Sequence, residues 1–413
     1  MSDERTRRVS RRPAGVARHG RLKRSNPVLS VLRFLGIGVL VLAVSAGAVA
    51  AIDANRLLSG VETFDLPDDG VAAPPSISAY EGGFNILIVG SDQAEGDSKA
   101  DKQRGSAALN DVNMLLHVSE DQTNAVAVSF PRDLVVPIPS CTNEKTGKKS
   151  AAMTGQPINV ALSYGGVPCV AATVSALTGV DIDFAGMITF DGVINMSNAV
   201  GGVEVCLTEP IHDKYSGFSR EAGTWELIGS DALAFLRSRH GVGDGSDLTR
   251  ISSQQVFLGS LVRTLKSSDT LGDPSKVYGI ANAALQNMQL SSNLRSLDTM
   301  YQIALALKDI PLENVTFVQY PGVTGQPGIY QGKVKPVTST ANLLFEKIRT
   351  DTPFTLAKAG DNRGSTVDPN AAPVPTDTTT ADPSAPTADV IPGLNGQTAA
   401  QQTCSVAYMS GTG

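Results

Sequence analysis

Hydrophobic positions fall in one long run and then in short alternating blocks. Phe34 to Ile52 (FLGIGVLVLAVSAGAVAAI) holds 19 residues without a charge, close to the ~20 that a helix needs to cross a bilayer. A second reading is a cleaved signal peptide, with Ala48-Val49-Ala50 as its cleavage site. The run exceeds the roughly 7–15 apolar residues of a signal h-region, so a retained signal-anchor, a single N-terminal transmembrane helix, is the expectation. A Pro-, Gly- and Asp-bearing stalk follows over 53–80.

From 81 to 350 strand-like blocks alternate with helical patterns, which predicts a layered α/β domain. NILIVG (85–90) is a continuous apolar run, as in a central strand. NMLLHVS (113–119) and NAVAVSF (124–130) predict two more strands around a polar turn. FDGVINMSNAV (190–200) has helical spacing and stops at Gly201-Gly202, and VEVCL (203–207) is strand-like. GSDALAFL (229–236) predicts a helix leading into Arg237-Ser238-Arg239-His240 and a polar loop. Asp247 opens a long helix with Ile251, Phe257, Leu258, Leu261, Val262 and Leu265 on its apolar side. A helix near Leu294–Leu307 and the strand-like VTFVQYP (315–321) complete the domain. Residues 351–413, low in complexity from about Asp361 (VPTDTTTADPSAPTAD), predict a disordered tail.

At 413 residues and 41% hydrophobic, the chain has enough apolar material for a core. A net charge of −6 with 5% aromatics argues against a nucleic-acid partner. The charge is uneven. Residues 1–33 carry ten Lys/Arg against Asp3 and Glu4, which leaves the rest at −14. The basic head should stay cytoplasmic and the body extracytoplasmic. Outside the cell thiols pair, and four cysteines allow three connectivities. Cys141 and Cys169 lie in loop-like sequence of one region and are expected to pair. Cys206 closes the strand-like GGVEVC and Cys404 lies in the tail, and the pairing of these two stays open.

Polar residues cluster where apolar blocks end, and open α/β sheets bind ligands at the carboxyl ends of their strands. Asp92 follows the first block in GSD, Asp111 precedes the next, and Arg132 and Asp133 follow a third in FPRD. Arg237 and Arg239 share a face where the backbone is extended. Asp247, Arg250 and Gln254, spaced by three and four, share one at a helix start. Paired arginines suit a pyrophosphate, and neighbouring carboxylates suit Mg²⁺. Singly, each signal reads as a turn, a helix cap, a surface ion pair or a solvated basic run.

The ordered set is more specific. GSD, ND before a strand, FPRD, IN…A…YGG, FDG…V…GGVEVCL…PI, DALAFLRSRH and DLTRISSQQ resemble the LytR–CpsA–Psr family. The similarity runs from about Asn85 to Leu265, with a looser continuation to about Thr350. The resemblance implies a three-layer α-β-α sandwich around a mixed central sheet, with a hydrophobic cavity for a lipid. It implies an enzyme that transfers a glycopolymer from a polyprenyl-pyrophosphate carrier to peptidoglycan, with Mg²⁺ or Mn²⁺. By the same resemblance Asp92 and Asp111 stand near the metal. Arg132, Asp133, Arg237, Arg239, Asp247, Arg250 and Gln254 bind the pyrophosphate, and Asp111, Arg132, Arg237 and Arg239 are the catalytic set.

This sequence departs from the family pattern in places. Ala94, Leu109-Asn110 and Ser253 stand where the family often has arginine or Arg-Ser. The implied reaction is attack of a sugar hydroxyl on the glycan-linked phosphorus. Asp111 is the first candidate and Asp247 the second to take the proton. Helices around Val193–Val200 and Val256–Leu265 are candidates for the lipid pocket, or ordinary core. Two rival roles are hydrolysis of the same donor by water and non-enzymatic sensing of lipid-linked precursors.

Overall fold

A computed structural model describes residues 62–66, 82–92, 109–143, 146–266, 274–295, 297–371 and 389–408. The basic head and the 34–52 segment lie outside the described residues. In chain order the strands and helices begin with β1 (Thr63–Phe64), β2 (Phe84–Ser91), β3 (Asn110–Val118), β4 (Ala125–Phe130), β5 (Val135–Ile138) and β6 (Met153–Pro157). Next come α1 (Ala161–Thr178), β7 (Phe184–Ile188), α2 (Phe190–Val200), β8 (Val203–Leu207), β9 (Ile211–Asp213), β10 (Phe218–Arg220), β11 (Gly223–Leu227), α3 (Ser230–Arg237) and α4 (Asp247–Lys266). Then follow α5 (Pro274–Asn287), β12 (Met288–Ser291), α6 (Leu297–Asp309), β13 (Val315–Gln319), β14 (Gly322–Val323), β15 (Lys335–Pro336) and α7 (Thr338–Arg349). The last elements are β16 (Phe354–Thr355), β17 (Ser365–Val367), β18 (Asp389–Val390), β19 (Gly396–Thr398) and β20 (Thr403–Ser405).

The main sheet has the order β1-β12-β7-β2-β3-β4-β13-β19. β2 runs parallel to β7 and antiparallel to β3, and β4 runs parallel to β13, so the sheet is mixed. Side chains alternate between its faces. Leu87, Val89, Leu115, Val128 and Phe130 pack with buried residues of α1 and α7. Ile86, Val118, Ala127 and Phe317 face the other way, onto α5 and α6 and against Leu258 and Val262 of α4. Helices thus cover both faces, which is the sandwich the sequence implied. A smaller sheet, β11-β8-β20-β17, packs with α3 and α4 around Val205, Phe235 and Phe257.

Local chemistry explains where elements stop. α2 ends at Gly201, whose φ of +93° is open to glycine at little cost. The segment Ile158–Thr178 is apolar and long enough to pass as a membrane span by composition. Within the domain it is a core helix with Val167, Val170 and Val174 buried.

Two expectations need correction. The 351–413 tail is not disordered over 351–371 and 389–408. β19 joins the edge of the main sheet beside β13, and β20 inserts between β8 and β17. Cys206 and Cys404 are bonded across that insertion, and Ser405 Oγ shares a hydrogen bond of 2.7 Å with Ser253 Oγ. These strands are too short to show a periodicity of their own, and order comes from the partners they pair with. Second, the stalk is not linker throughout, since β1 pairs with β12 and Phe64 is buried. Of the two readings of the helices around Val193–Val200 and Val256–Leu265, ordinary core holds for Val200, Val256 and Phe257, while Leu258 and Val262 are only partly buried. Cys141 and Cys169 are also joined, with 5.5 Å between Cα atoms.

Candidate functional site

The site lies at the end of the main sheet where β2 and β4 finish and β3 begins. Gly90 pairs with Val112 and Ser91 with Asn110, so Asp111 is the extra residue of a β-bulge. Bulges re-aim a side chain. Asp92 follows directly on Ser91, which puts both carboxylates at one end of adjacent strands. Beneath them Asn110 is fully buried. Its amide donates to Ile158 O, and its oxygen accepts the Leu162 N–H of α1.

β4 ends at Phe130, and the chain turns through Pro131 into Arg132 and Asp133. The Arg132 main-chain N–H donates to Asp247 Oδ2 at 2.9 Å, and its Nη1 to Asp111 Oδ1 at 2.7 Å. Its Nε stands 3.7 Å from Asp133 and 3.8 Å from Asp247. α4 presents Asp247 in its first turn, and Gln319 at the end of β13 fixes that turn by donating to Leu248 O. Arg250, three residues on, ion-pairs with Asp247 at 2.6 Å and donates to the Asp111 carbonyl. Asp247 and Arg250 are 2% and 8% exposed at their side chains, so this pair is desolvated.

The remaining predicted residues divide. Arg239 donates its Nε to Gly245 O, and its charge acts on Asp133. Arg237, last in α3, lies with its guanidinium 4.3 Å from the centre of the Phe190 ring. Gln254 donates to Leu236 O and ties α4 to the end of α3. The structure therefore gathers Asp111, Arg132, Asp133, Asp247 and Arg250, brings Arg239 within reach, and sets Arg237 and Gln254 at the flank.

Electrostatics set the protonation states. Burial acts against the Arg132 cation, but the carboxylates of Asp111, Asp247 and Asp133 outweigh it and raise its pKa. Burial, helped by the charge of Asp247, lifts the Asp133 pKa above the ordinary carboxylate value despite Arg132, Arg239 and Arg250. The ionised form of Asp133 is thus a cost to the fold. Its stabilising contribution is complete below the unfolded value near 3.8 and is lost as pH rises through the folded one.

Two features mark the cluster as more than a structural salt-bridge network. Arg132 Nε and Arg250 Nε are buried N–H donors with no hydrogen-bond acceptor among the described residues, an arrangement that favours an acceptor-rich ligand. The carboxylates of Asp92 and Asp111 offer the hard oxygen donors that Mg²⁺ takes.

One residue that shapes the site left no sequence signal. Asp213 is buried at the end of β9. Its Oδ2 accepts from the main-chain N–H of Arg239, His240 and Gly241 and from Ser238 Oγ. Its Oδ1 accepts from the N–H of Tyr215 and Ser216. Burial pushes its pKa up, but these donors win and hold it below the usual value. Only a short polar IHD, with no spacing to mark it, hints at this. Asp213→Asn swaps an oxygen for an NH₂ that faces donors. It is expected to lower unfolding stability by about 3 kcal/mol and to loosen the 238–241 loop, as read by denaturant unfolding and hydrogen exchange.

With this geometry in view, the chain can be compared with known proteins. The model of the LytR_cpsA_psr family matches residues 61–346, more than half of the chain. The cell wall biosynthesis protein LcpA of Corynebacterium glutamicum is 30% identical over 335 residues, covering 75% of this chain and 63% of LcpA. A Bacillus cereus protein named polyisoprenyl-teichoic acid–peptidoglycan teichoic acid transferase TagU is 29% identical over 58% of this chain and 69% of its own. Among solved structures, a LytR-Csp2A-Psr enzyme from Actinomyces oris shares the fold, with a TM-score of 0.50 and 20% identity over 70% of this chain and 95% of that one. The chain spans less than two thirds of the length of LcpA.

Proposed function

This chain belongs to the LytR–CpsA–Psr family, and from that premise and its site we propose that it is a phosphotransferase of cell-wall assembly. It moves a glycopolymer from a polyprenyl-pyrophosphate carrier to a hydroxyl of peptidoglycan. The observation that carries this is the convergence of Arg132, Arg250 and Arg239 on one sheet end, where the buried Nε–H groups of Arg132 and Arg250 have no hydrogen-bond acceptor among the described residues. Guanidinium forks match phosphate oxygens in geometry and charge.

A second feature fits the lipid. On β2 the residues Ile86, Ile88 and Gly90 share one face, two residues short of Asp92, and Ile88 pairs with Met114 of β3. On the opposite face Leu87, Val89 and Leu115 are fully buried. Ile88, Met114 and Leu116, although central in the sheet, are only partly covered, as are Leu258 and Val262 above them. This under-packed apolar surface leads along β2 to the carboxylates, where a polyprenyl chain would meet its diphosphate.

In the reaction the acceptor hydroxyl oxygen bonds to the glycan-linked phosphorus, the bridging P–O bond breaks, and polyprenyl phosphate leaves. Such transfer depends on positioning and charge neutralisation more than on covalent catalysis. Arg132, Arg239 and Arg250 hold the phosphate oxygens, while Arg237 stays at the flank against Phe190. Asp133 is the proton acceptor in this reading: its pKa is raised and its contact with Arg132 Nε is a loose 3.7 Å, whereas Asp111 and Asp247 are held by arginines at 2.7 and 2.6 Å. Asp92 and Asp111 would hold Mg²⁺ or Mn²⁺, which when bound offsets charge on the departing phosphate. In this reading the body works outside the membrane with residues 34–52 as its anchor, which the two disulfides support, since such bonds persist in oxidising compartments.

The test feeds a labelled lipid-pyrophosphate glycan to the full chain with and without peptidoglycan. Transfer predicts a covalent glycan–wall product that needs the wall. Release of glycan phosphate at the same rate in both reactions would reject transfer and leave hydrolysis.

A further inference from the structure

Beside the arginine loop the structure carries an aromatic surface that the reaction above does not use. Tyr215 is 67% exposed. Its ring centre lies 4.5 Å from that of His240, also exposed, and the two rings meet at 51°. Lys214 Nζ stands 5.2 Å from the Tyr215 ring centre. On the far side of the loop, half-exposed Tyr408 donates its N–H to Gly241 O and sets its ring beside Gly245, the residue whose carbonyl holds Arg239.

Surface aromatics are common singly and then need no explanation. This pair differs because it is held rigidly to the phosphate-binding loop. One buried carboxylate, Asp213, binds the main-chain N–H groups of Tyr215 and Ser216 through one oxygen and those of Arg239 and His240 through the other. Arg239 and His240 are consecutive, so the arginine and the aromatic pair rise from the same clamped loop. An exposed ring that supports no core and is fixed next to an anion site offers what a pyranose needs. It has a flat face for the sugar C–H groups, with Lys214 and His240 as donors to hydroxyls.

We propose that Tyr215 and His240 form a sugar-ring subsite at the rim of the phosphate cradle. The inference rests on the transferase reading, which involves a sugar on each side of the reacting phosphorus: the first sugar of the donor and the hydroxyl-bearing sugar of the wall strand. Pyranose stacking is the shared chemistry.

The test uses the full chain and a phosphate-free tetrasaccharide of β-1,4-linked N-acetylglucosamine. The clamp uses main-chain atoms, so side-chain replacements leave it in place. Tyr215→Ala with His240→Ala is expected to weaken tetrasaccharide binding about tenfold, while Tyr215→Trp retains it and reports binding by fluorescence. In the transfer assay a matching rise in KM for peptidoglycan assigns the subsite to the acceptor, and a rise in KM for the lipid-linked substrate assigns it to the donor. Unchanged tetrasaccharide affinity and unchanged KM values in the double variant would overturn the subsite and leave the transferase reading standing. Tyr215-dependent sugar binding by a chain that transfers nothing would do the reverse.

Discussion

Arg132→Ala is expected to lower transfer by about 10²–10³-fold with little loss of stability, whereas Arg250→Ala should cost the fold about 3–5 kcal/mol. Both arginines stand against Asp247, so the contrast is informative. Arg132 is 25% exposed at its side chain and pairs with Asp111, itself 20% exposed. Removing it leaves charges that water can reach. Arg250 neutralises Asp247 where both are almost fully desolvated, and its loss strands a buried charge. Arg132→Lys keeps the charge but loses the planar fork, and should recover only part of the rate. Denaturant unfolding alongside steady-state kinetics reads both effects. Equal destabilisation by the two alanine variants would mean that Arg132 is structural.

Loss of the Cys206–Cys404 bond carries the largest expected effect on stability. Its ends are 198 residues apart, against 28 for Cys141–Cys169. Chain entropy then assigns on the order of 5 kcal/mol to the first and about 4 to the second. The consequence is also local. Gly243 N–H donates to Val406 O, and Tyr408 N–H to Gly241 O, so the strap after Cys404 braces the loop that positions Arg239. The Cys206→Ser, Cys404→Ser double variant should unfold at lower denaturant and exchange amide protons faster over 239–245. Unchanged exchange there would mean that the strap does not hold the loop.

The features legible in the sequence were those with a local cause. Continuous apolar runs marked β2 to β4, and Gly201-Gly202 marked the end of α2. The spacing of Asp247 and Arg250 placed two charges on one turn of α4. Arg132 and Asp133 were found because they follow a strand end, where ligands bind in such sheets. What stayed hidden was set by partners distant in sequence. β19 and β20 are three-residue strands ordered by β13, β8 and a disulfide, and they lie in composition that reads as disordered. Asp213 acts through main-chain N–H groups, which any residue supplies. The spacing of Arg237 and Arg239 suggests a pair, but the helix ends between them, and one turns to Phe190 while the other turns to Gly245.

In the proposed function the carboxylate-paired arginines form a diphosphate cradle beside an apolar sheet face. The most direct measurement is a crystal structure of the full chain soaked with a polyprenyl pyrophosphate and Mg²⁺. The account predicts diphosphate density within hydrogen-bond distance of Arg132, Arg239 and Arg250, with the polyprenyl chain along Ile88, Met114 and Leu116. Diphosphate bound elsewhere, with Arg132 still closed on Asp111, would contradict it.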